Sequence, residues 1–159
     1  VVTHEGVVWD GVHARPDGSC DVEQAEYTYT YGLVVAADLA AWRATGEQAY
    51  AERAGRIAAT GLSRMTESAT GLWRVEGSGD GGLFRGILGR SLADLATATD
   101  DADLAATVVR QAEAAWAAVR SGDPVPADWL DPDPGAATLA THLSAVLLAE
   151  QAARLSERR

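Results

Sequence analysis

Apolar residues recur along most of the chain with the 3.6-residue period of a helix rather than the two-residue alternation of a strand. Five stretches carry it. The first, about Tyr27 to Ala44, is apolar almost all round through Leu33, Val34, Val35, Leu39 and Trp42, with Asp38 the only charge before Arg43. A helix of that kind is expected to be covered on more than one side. The second follows Thr45-Gly46 and sets Tyr50, Ala54, Ile57, Ala58, Gly61 and Leu62 on one face with Glu52, Arg53 and Arg56 opposite, which predicts a one-sided outer helix. The third starts near Leu83 and uses Phe84, Ile87, Leu88, Leu92 and Leu95. The fourth begins behind Asp100 or Asp101, an acidic start suited to capping free N–H groups and complementing the helix dipole. It stripes Leu104, Val108, Ala112, Ala115, Trp116 and Val119. Trp42 and Trp116 fall on these stripes and are expected in the core. A proline-rich connector, Asp123 to Pro134, leads to a fifth helix expected from Ala136, which carries Leu139, Leu143, Val146 and Leu147 and frays at Arg158-Arg159.

Two glycine-bounded stretches read as extended: Gly6-Val7-Val8-Trp9-Asp10-Gly11 and Gly71-Leu72-Trp73-Arg74-Val75-Glu76-Gly77. Each leads through an acidic, glycine-containing loop into a helix that opens on an aromatic residue near a glycine, Tyr31-Gly32 and then Phe84-Arg85-Gly86. The pattern of strand-like loop, inner helix and outer helix returns about every 50 residues, as in stacked helical hairpins. Two and a half such units fit in 159 residues, read as one domain over 1–159. Periodicity alone describes a short open solenoid as well as an arc of a closed ring.

Composition narrows the chemistry. All 13 basic residues are arginine and the net charge is -10, so no basic face is available for nucleic acid or an anionic membrane surface. Apolar runs such as Leu33 to Ala37 are far shorter than the roughly 20 residues that span a bilayer. Cys20 is the single cysteine, and His4, His13 and His142 are scattered, so neither a disulfide within the chain nor a metal site is expected. The glycines of Gly77-Ser78-Gly79-Asp80-Gly81-Gly82 would suit a phosphate cradle, but no Walker lysine accompanies them.

The segment Tyr27-Thr28-Tyr29-Thr30-Tyr31-Gly32-Leu33-Val34 resembles the TYNQG-type motif that opens an inner helix in family 76 glycoside hydrolases, the endo-α-1,6-mannanases. Three further pieces follow that family's order: Val8-Trp9-Asp10-Gly11, the Thr45-Gly46 to Tyr50 helix start, and Phe84-Arg85-Gly86-Ile87-Leu88-Gly89-Arg90-Ser91-Leu92, similar to FKGIFxRxL. Thr30-Tyr31 stands where the family has Asn-Gln, and Arg85 where it has lysine. The resemblance implies an all-α fold of helical hairpins, part of an (α/α)6 toroid of which this chain is the C-terminal half. It implies endo-hydrolysis of α-1,6-linked mannose in a fungal or bacterial cell-envelope polymer by a secreted or envelope protein, with no metal or organic cofactor. The family's adjacent catalytic aspartates lie on an earlier inner helix, so no catalytic residue is expected here. The alternative is a non-catalytic carbohydrate-binding or scaffold pseudoenzyme. A sugar epimerase would want histidines in the cleft that this sequence scarcely has.

The expected partner is an oligo- or polysaccharide of α-mannan type. Flat aromatic rings stack on the apolar faces of sugars, and Trp9, Tyr29, Tyr31 and Trp73 stand at loops and inner-helix starts, where a toroid opens its cleft. Asp10, Asp80 and Arg85 could hydrogen-bond hydroxyls. These seven are the candidate binding residues. Asp100-Asp101 is read as a helix cap rather than a catalytic pair, His13 and Cys20 as loop residues, and His142 as a packing histidine. Half a ring leaves a lateral face of its first and last helices without neighbours, so self-association or a missing N-terminal half is expected to cover them.

Overall fold

The computed structural model describes residues 1–119, 124–131 and 137–157. A short hairpin, β1 (Gly11–Ala14) and β2 (Cys20–Glu23), precedes five helices: α1 (Thr28–Thr45), α2 (Gln48–Met65), α3 (Gly81–Thr99), α4 (Ala102–Ala118) and α5 (Leu139–Ser156). The helices form two layers. In the inner layer α3 packs between α1 and α5, while α2 backs α1 and α4 backs α3 and α5.

Local chemistry sets the boundaries. Gly46 closes α1 in the left-handed region at φ 75° and donates its N–H to Trp42 O. Asp100 ends α3 at φ 55°, the one non-glycine with positive φ among the described residues. It is followed directly by Asp101, whose carboxylate accepts from Leu104 N at 2.9 Å and starts α4. The expected acidic cap is therefore Asp101, and the pair turns the chain from an inner helix to an outer one. Thr138 and Thr141 form a capping box that starts α5 at Leu139. The expected start at Ala136, the fraying at Arg158-Arg159 and part of the Asp123 to Pro134 connector lie outside the described residues.

Glycines let the inner helices approach closely. A Cβ on Gly32 of α1 would stand 2.9 Å from Leu88 Cα of α3, and one on Gly86 of α3 would stand 2.7 Å from Ser144 Cα of α5. Gly82 and Gly89, on the same face of α3, meet Thr141 and Leu148 of α5 in the same way. The first turns of all three inner helices thus lie at one end, and the helices run parallel. Between the layers the core is apolar: Tyr31, Val35 and Leu39 of α1, Ile57 and Met65 of α2, Leu88, Leu92 and Leu95 of α3, and Val108 of α4 are all at most 2% exposed. Asp38, buried on α1, is held by a two-pronged contact from Arg53 of α2, which supplies the charge partner that burial requires.

Three expectations change. The stretches from Gly6 to Asp10 and Gly71 to Gly77 are extended but pair only through the single bridges Val2↔Val8 and Thr66↔Trp73. The regular ladder forms instead in the His13–Cys20 region, read from sequence as loop, because Gly18 takes φ +82° and Asp17 accepts from Ser19 N at 2.9 Å to turn the chain. A hydrogen-bond contact between His13 and Glu23 and an ion pair from Arg15 to Asp21 then clip the strands. Trp116 is 78% exposed rather than in the core, since α4 turns that face away from α3. On the flanks, Leu33 of α1 and Leu139, Leu143 and Val146 of α5 are exposed too. Trp42 is half-buried against the core. No helix among the described residues is long and apolar enough to cross a membrane.

Candidate functional site

Aromatic side chains converge where the inner helices begin. Tyr27 precedes α1, Tyr29 occupies its first turn and Phe84 the first turn of α3. Their ring centroids are 6.0 Å apart for Tyr27–Tyr29, 5.5 Å for Tyr27–Phe84 and 4.4 Å for Tyr29–Phe84. All three rings are partly open to solvent. The Tyr29 hydroxyl donates to the Asp10 carboxylate, and Asp10 is fixed in turn by its N–H to Ala25 O at 2.9 Å. That hydrogen bond, with partial burial, pushes the Tyr29 phenol up to about 12. The group is a half-open aromatic shelf edged by a carboxylate, at the end where three helix N-termini present positive dipole. Trp9, adjacent to Asp10, is half-buried and anchored through its N–H to Val1 O at 2.8 Å. Asp80 is exposed at the entrance to α3 and makes no side-chain cap there.

Three candidates have other work. Tyr31 is wholly buried against Gly61 of α2, where an added Cβ would stand 2.8 Å from its ring, and its hydroxyl donates to Glu26. Burial first, then that bond, pushes its phenol up to about 12. Trp73 is 1% exposed, lies over Gly89 of α3, and is tied through its backbone N–H to buried Gln111 of α4 at 3.0 Å. Neither ring has a face open to a ligand. The aromatic-glycine pattern that marked them out reflects packing between the layers, where a large ring meets a glycine on the facing helix. Arg85 is 4% exposed: its guanidinium lies 3.6 Å from the centroid of the Trp129 ring and donates to Ala127 O. Burial pulls it down to about 10. It pins the connector onto α3 instead of offering its donors to a hydroxyl.

Two residues that sequence reasoning passed over belong to this end. Glu76, in the loop before α3, accepts from Thr28 N at 2.8 Å and from the Thr28 hydroxyl. Burial raises its pKa, opposed by those two hydrogen bonds and by Arg74 and Arg85. The signal was there: Glu76 precedes α3 in an acidic glycine loop, as Asp10 precedes α1. Trp129 is buried in the connector before α5. It continues the habit of placing an aromatic near each inner-helix start. His142 bridges the connector to α5, its two ring nitrogens lying 3.4 Å from Val125 N and 2.9 Å from Thr138 O.

The remaining carboxylate pair is remote. Asp100-Asp101 lies at the far end of α3, about 24 Å along the helix from Phe84 at 1.5 Å per residue. Among the described residues no cluster of three His, Cys, Asp or Glu side chains is placed to hold a metal ion.

The family model for glycosyl hydrolase family 76 matches residues 1–157. The chain belongs to glycoside hydrolase family 76. Among solved structures, it is similar to the GH76A α-1,6-mannanase from Salegentibacter sp. HEL1_6, with 32% identity and a TM-score of 0.85 over 95% of this chain and 46% of that one. An inactive variant of that mannanase, with two adjacent aspartates replaced, is solved with α-1,6-mannotetrose and matches with a TM-score of 0.87 over 97% of this chain and 48% of that one, at 32% identity. The Lin0763 protein from Listeria innocua matches over 100% of this chain and 46% of that one, with 28% identity and a TM-score of 0.88. No curated protein sequence matches the chain. The inner and outer helices are therefore part of the family's α/α toroid, and the chain spans about half the length of the family 76 structures it matches.

Proposed function

We propose that this chain is the sugar-binding part of a family 76 α-1,6-mannanase and that the carboxylate pair performing hydrolysis is not among these residues. The observation that carries the reading is the Tyr27–Tyr29–Phe84 shelf with Asp10 beside it, at the end shared by the inner-helix N-termini. Aromatic faces take the apolar face of a hexose, and a fixed carboxylate accepts from its hydroxyls. Trp9 and Asp80, at the rim of the same end, are the next contacts. The complex of the similar mannanase with an α-1,6-manno-oligosaccharide supports the choice of ligand.

Glycoside hydrolysis needs two carboxyl groups facing each other across the scissile bond, about 5–9.5 Å apart. At this end Asp10 is engaged by Tyr29 and Glu76 by Thr28, while Asp101 caps α4 at the other end. Titration calorimetry of the chain with α-1,6-mannotetraose tests the binding: Tyr29→Ala is expected to weaken it about tenfold, the worth of one stacking contact. Equal affinity in Tyr29→Ala would sink the shelf assignment. Reducing sugar released from α-1,6-mannan by the chain, and lost in Asp101→Asn, would overturn the cap.

A further inference from the structure

We infer that Glu76 is the positioning residue of the aromatic shelf: by clamping the first turn of α1 to the loop before α3, it sets Tyr27 and Tyr29 against Phe84. This rests on the proposed sugar site and adds how that site is held. No residue local to α1 caps it, for Tyr27 stands at the N-cap position without a side-chain hydrogen bond, and the first turn carries no acid. The free donor there is satisfied from 48 residues away, by Glu76 Oε1 accepting from Thr28 N at 2.8 Å while Oε2 accepts from the Thr28 hydroxyl. Thr28 is the residue between Tyr27 and Tyr29, so both rings hang from the clamped peptide. The other side of the clamp is equally determined. Glu76 O lies so near Gly81 that an added Cβ there would stand 1.8 Å from it, which fixes the loop to the start of α3, three residues before Phe84.

The carboxylate is held where charge is costly. Its side chain is 3% exposed, and Arg74 reaches it only at 3.8 Å. The charged groups acting on it are Arg74 from its own loop and Arg85 from α3, and Arg85 in turn feels Asp128 of the connector and Glu67. Burial outweighs these helpers and raises its pKa. A carboxyl whose folded pKa lies above its unfolded value contributes stability below the unfolded pKa and loses it as pH rises through the folded one. Ionised Glu76 therefore holds Thr28 through two hydrogen bonds at some cost in stability. Protonation has the opposite effect: the proton occupies one of the two carboxyl oxygens, which then no longer accepts from Thr28 as a carboxylate, and the two-pronged clamp loosens.

The consequence is measurable on the chain by NMR, calorimetry and thermal melts in Glu76→Gln and in Thr28→Val, which removes the hydroxyl donor to Oε2 and keeps the Thr28 N–H to Oε1. In the parent chain the Thr28 amide proton and the Tyr27 and Tyr29 ring protons are expected to shift together as pH falls through the raised Glu76 pKa. Affinity for α-1,6-mannotetraose should fall over the same pH range. Glu76→Gln is expected to melt no lower at neutral pH, to lose the concerted ring shifts, and to bind mannotetraose several-fold more weakly; Thr28→Val should show part of the same loss. Asp10→Asn, which alters the shelf's other carboxylate, should leave the Thr28 titration in place. Unchanged ring shifts and affinity in Glu76→Gln, or a Thr28 titration that leaves both rings still, would overturn the inference. If the parent chain binds no mannotetraose while its rings still titrate with Glu76, the sugar reading fails and the positioning role stands.

Discussion

The inner and outer helices are built from the same residues to different specifications. α1, α3 and α5 are apolar on more than one side, run parallel, and touch through glycines so closely that a methyl group would meet a neighbour's backbone. α2 and α4 each bury one face, and between them lies an open groove of about 400 Å³ lined by Gly55, Ala58, Leu62, Leu104 and Thr107. Chemistry gathers only where the inner helices start. Close parallel packing brings three first turns, with their unpaired N–H groups and their leading loops, into one place. The outer helices, more loosely spaced, contribute caps and counter-charges such as Asp101 and Arg53.

The sharpest way to break this comparison is to put the same methyl group in each layer. Gly86→Ala forces a Cβ to within 2.7 Å of Ser144 Cα, and its cost is expected at about 1–3 kcal/mol or more. Gly55→Ala meets nothing within 4 Å on exposed α2 and is expected to stabilise by about 0.5–1 kcal/mol. Denaturant melts of the two variants decide it; a loss at Gly55 equal to that at Gly86 would erase the distinction between layers. The next effect separates the two ends of the inner helices. Asp101→Ala removes a cap and should cost about 1 kcal/mol, with mannotetraose affinity unchanged, whereas Tyr29→Ala should change affinity. The smallest effect is on the exposed flank. Trp116→Ala is expected to change the stability of the monomer by no more than about 0.5 kcal/mol and to reduce any concentration-dependent association seen by sedimentation, because that ring is open to solvent beside Val146.

Much of this was open to a reader of the sequence. The five helices follow from hydrophobic period, and the stops at Gly46 and Asp100-Asp101 from capping chemistry, because both depend on neighbours a few residues apart. The inner and outer assignment also follows, from helices apolar all round against helices apolar on one face. Motif order put aromatics and acids such as Tyr29 and Asp10 at inner-helix starts, and the structure brings those two together.

Tertiary packing alone decided what each aromatic does there. Tyr29, Tyr31 and Trp73 look alike along the chain, yet Tyr29 stays open while Tyr31 seats against Gly61 of another helix and Trp73 over Gly89. Arg85 reads as a free donor until Trp129, 44 residues on, covers it. Glu76 finds its hydrogen-bond partner 48 residues away, in Thr28. Period and capping are short-range properties of the chain, fixed by backbone geometry and the residues within a turn. Which ring is buried, and which carboxylate is clamped, depends on contacts between helices distant in sequence, and those exist only once the layers have closed on each other.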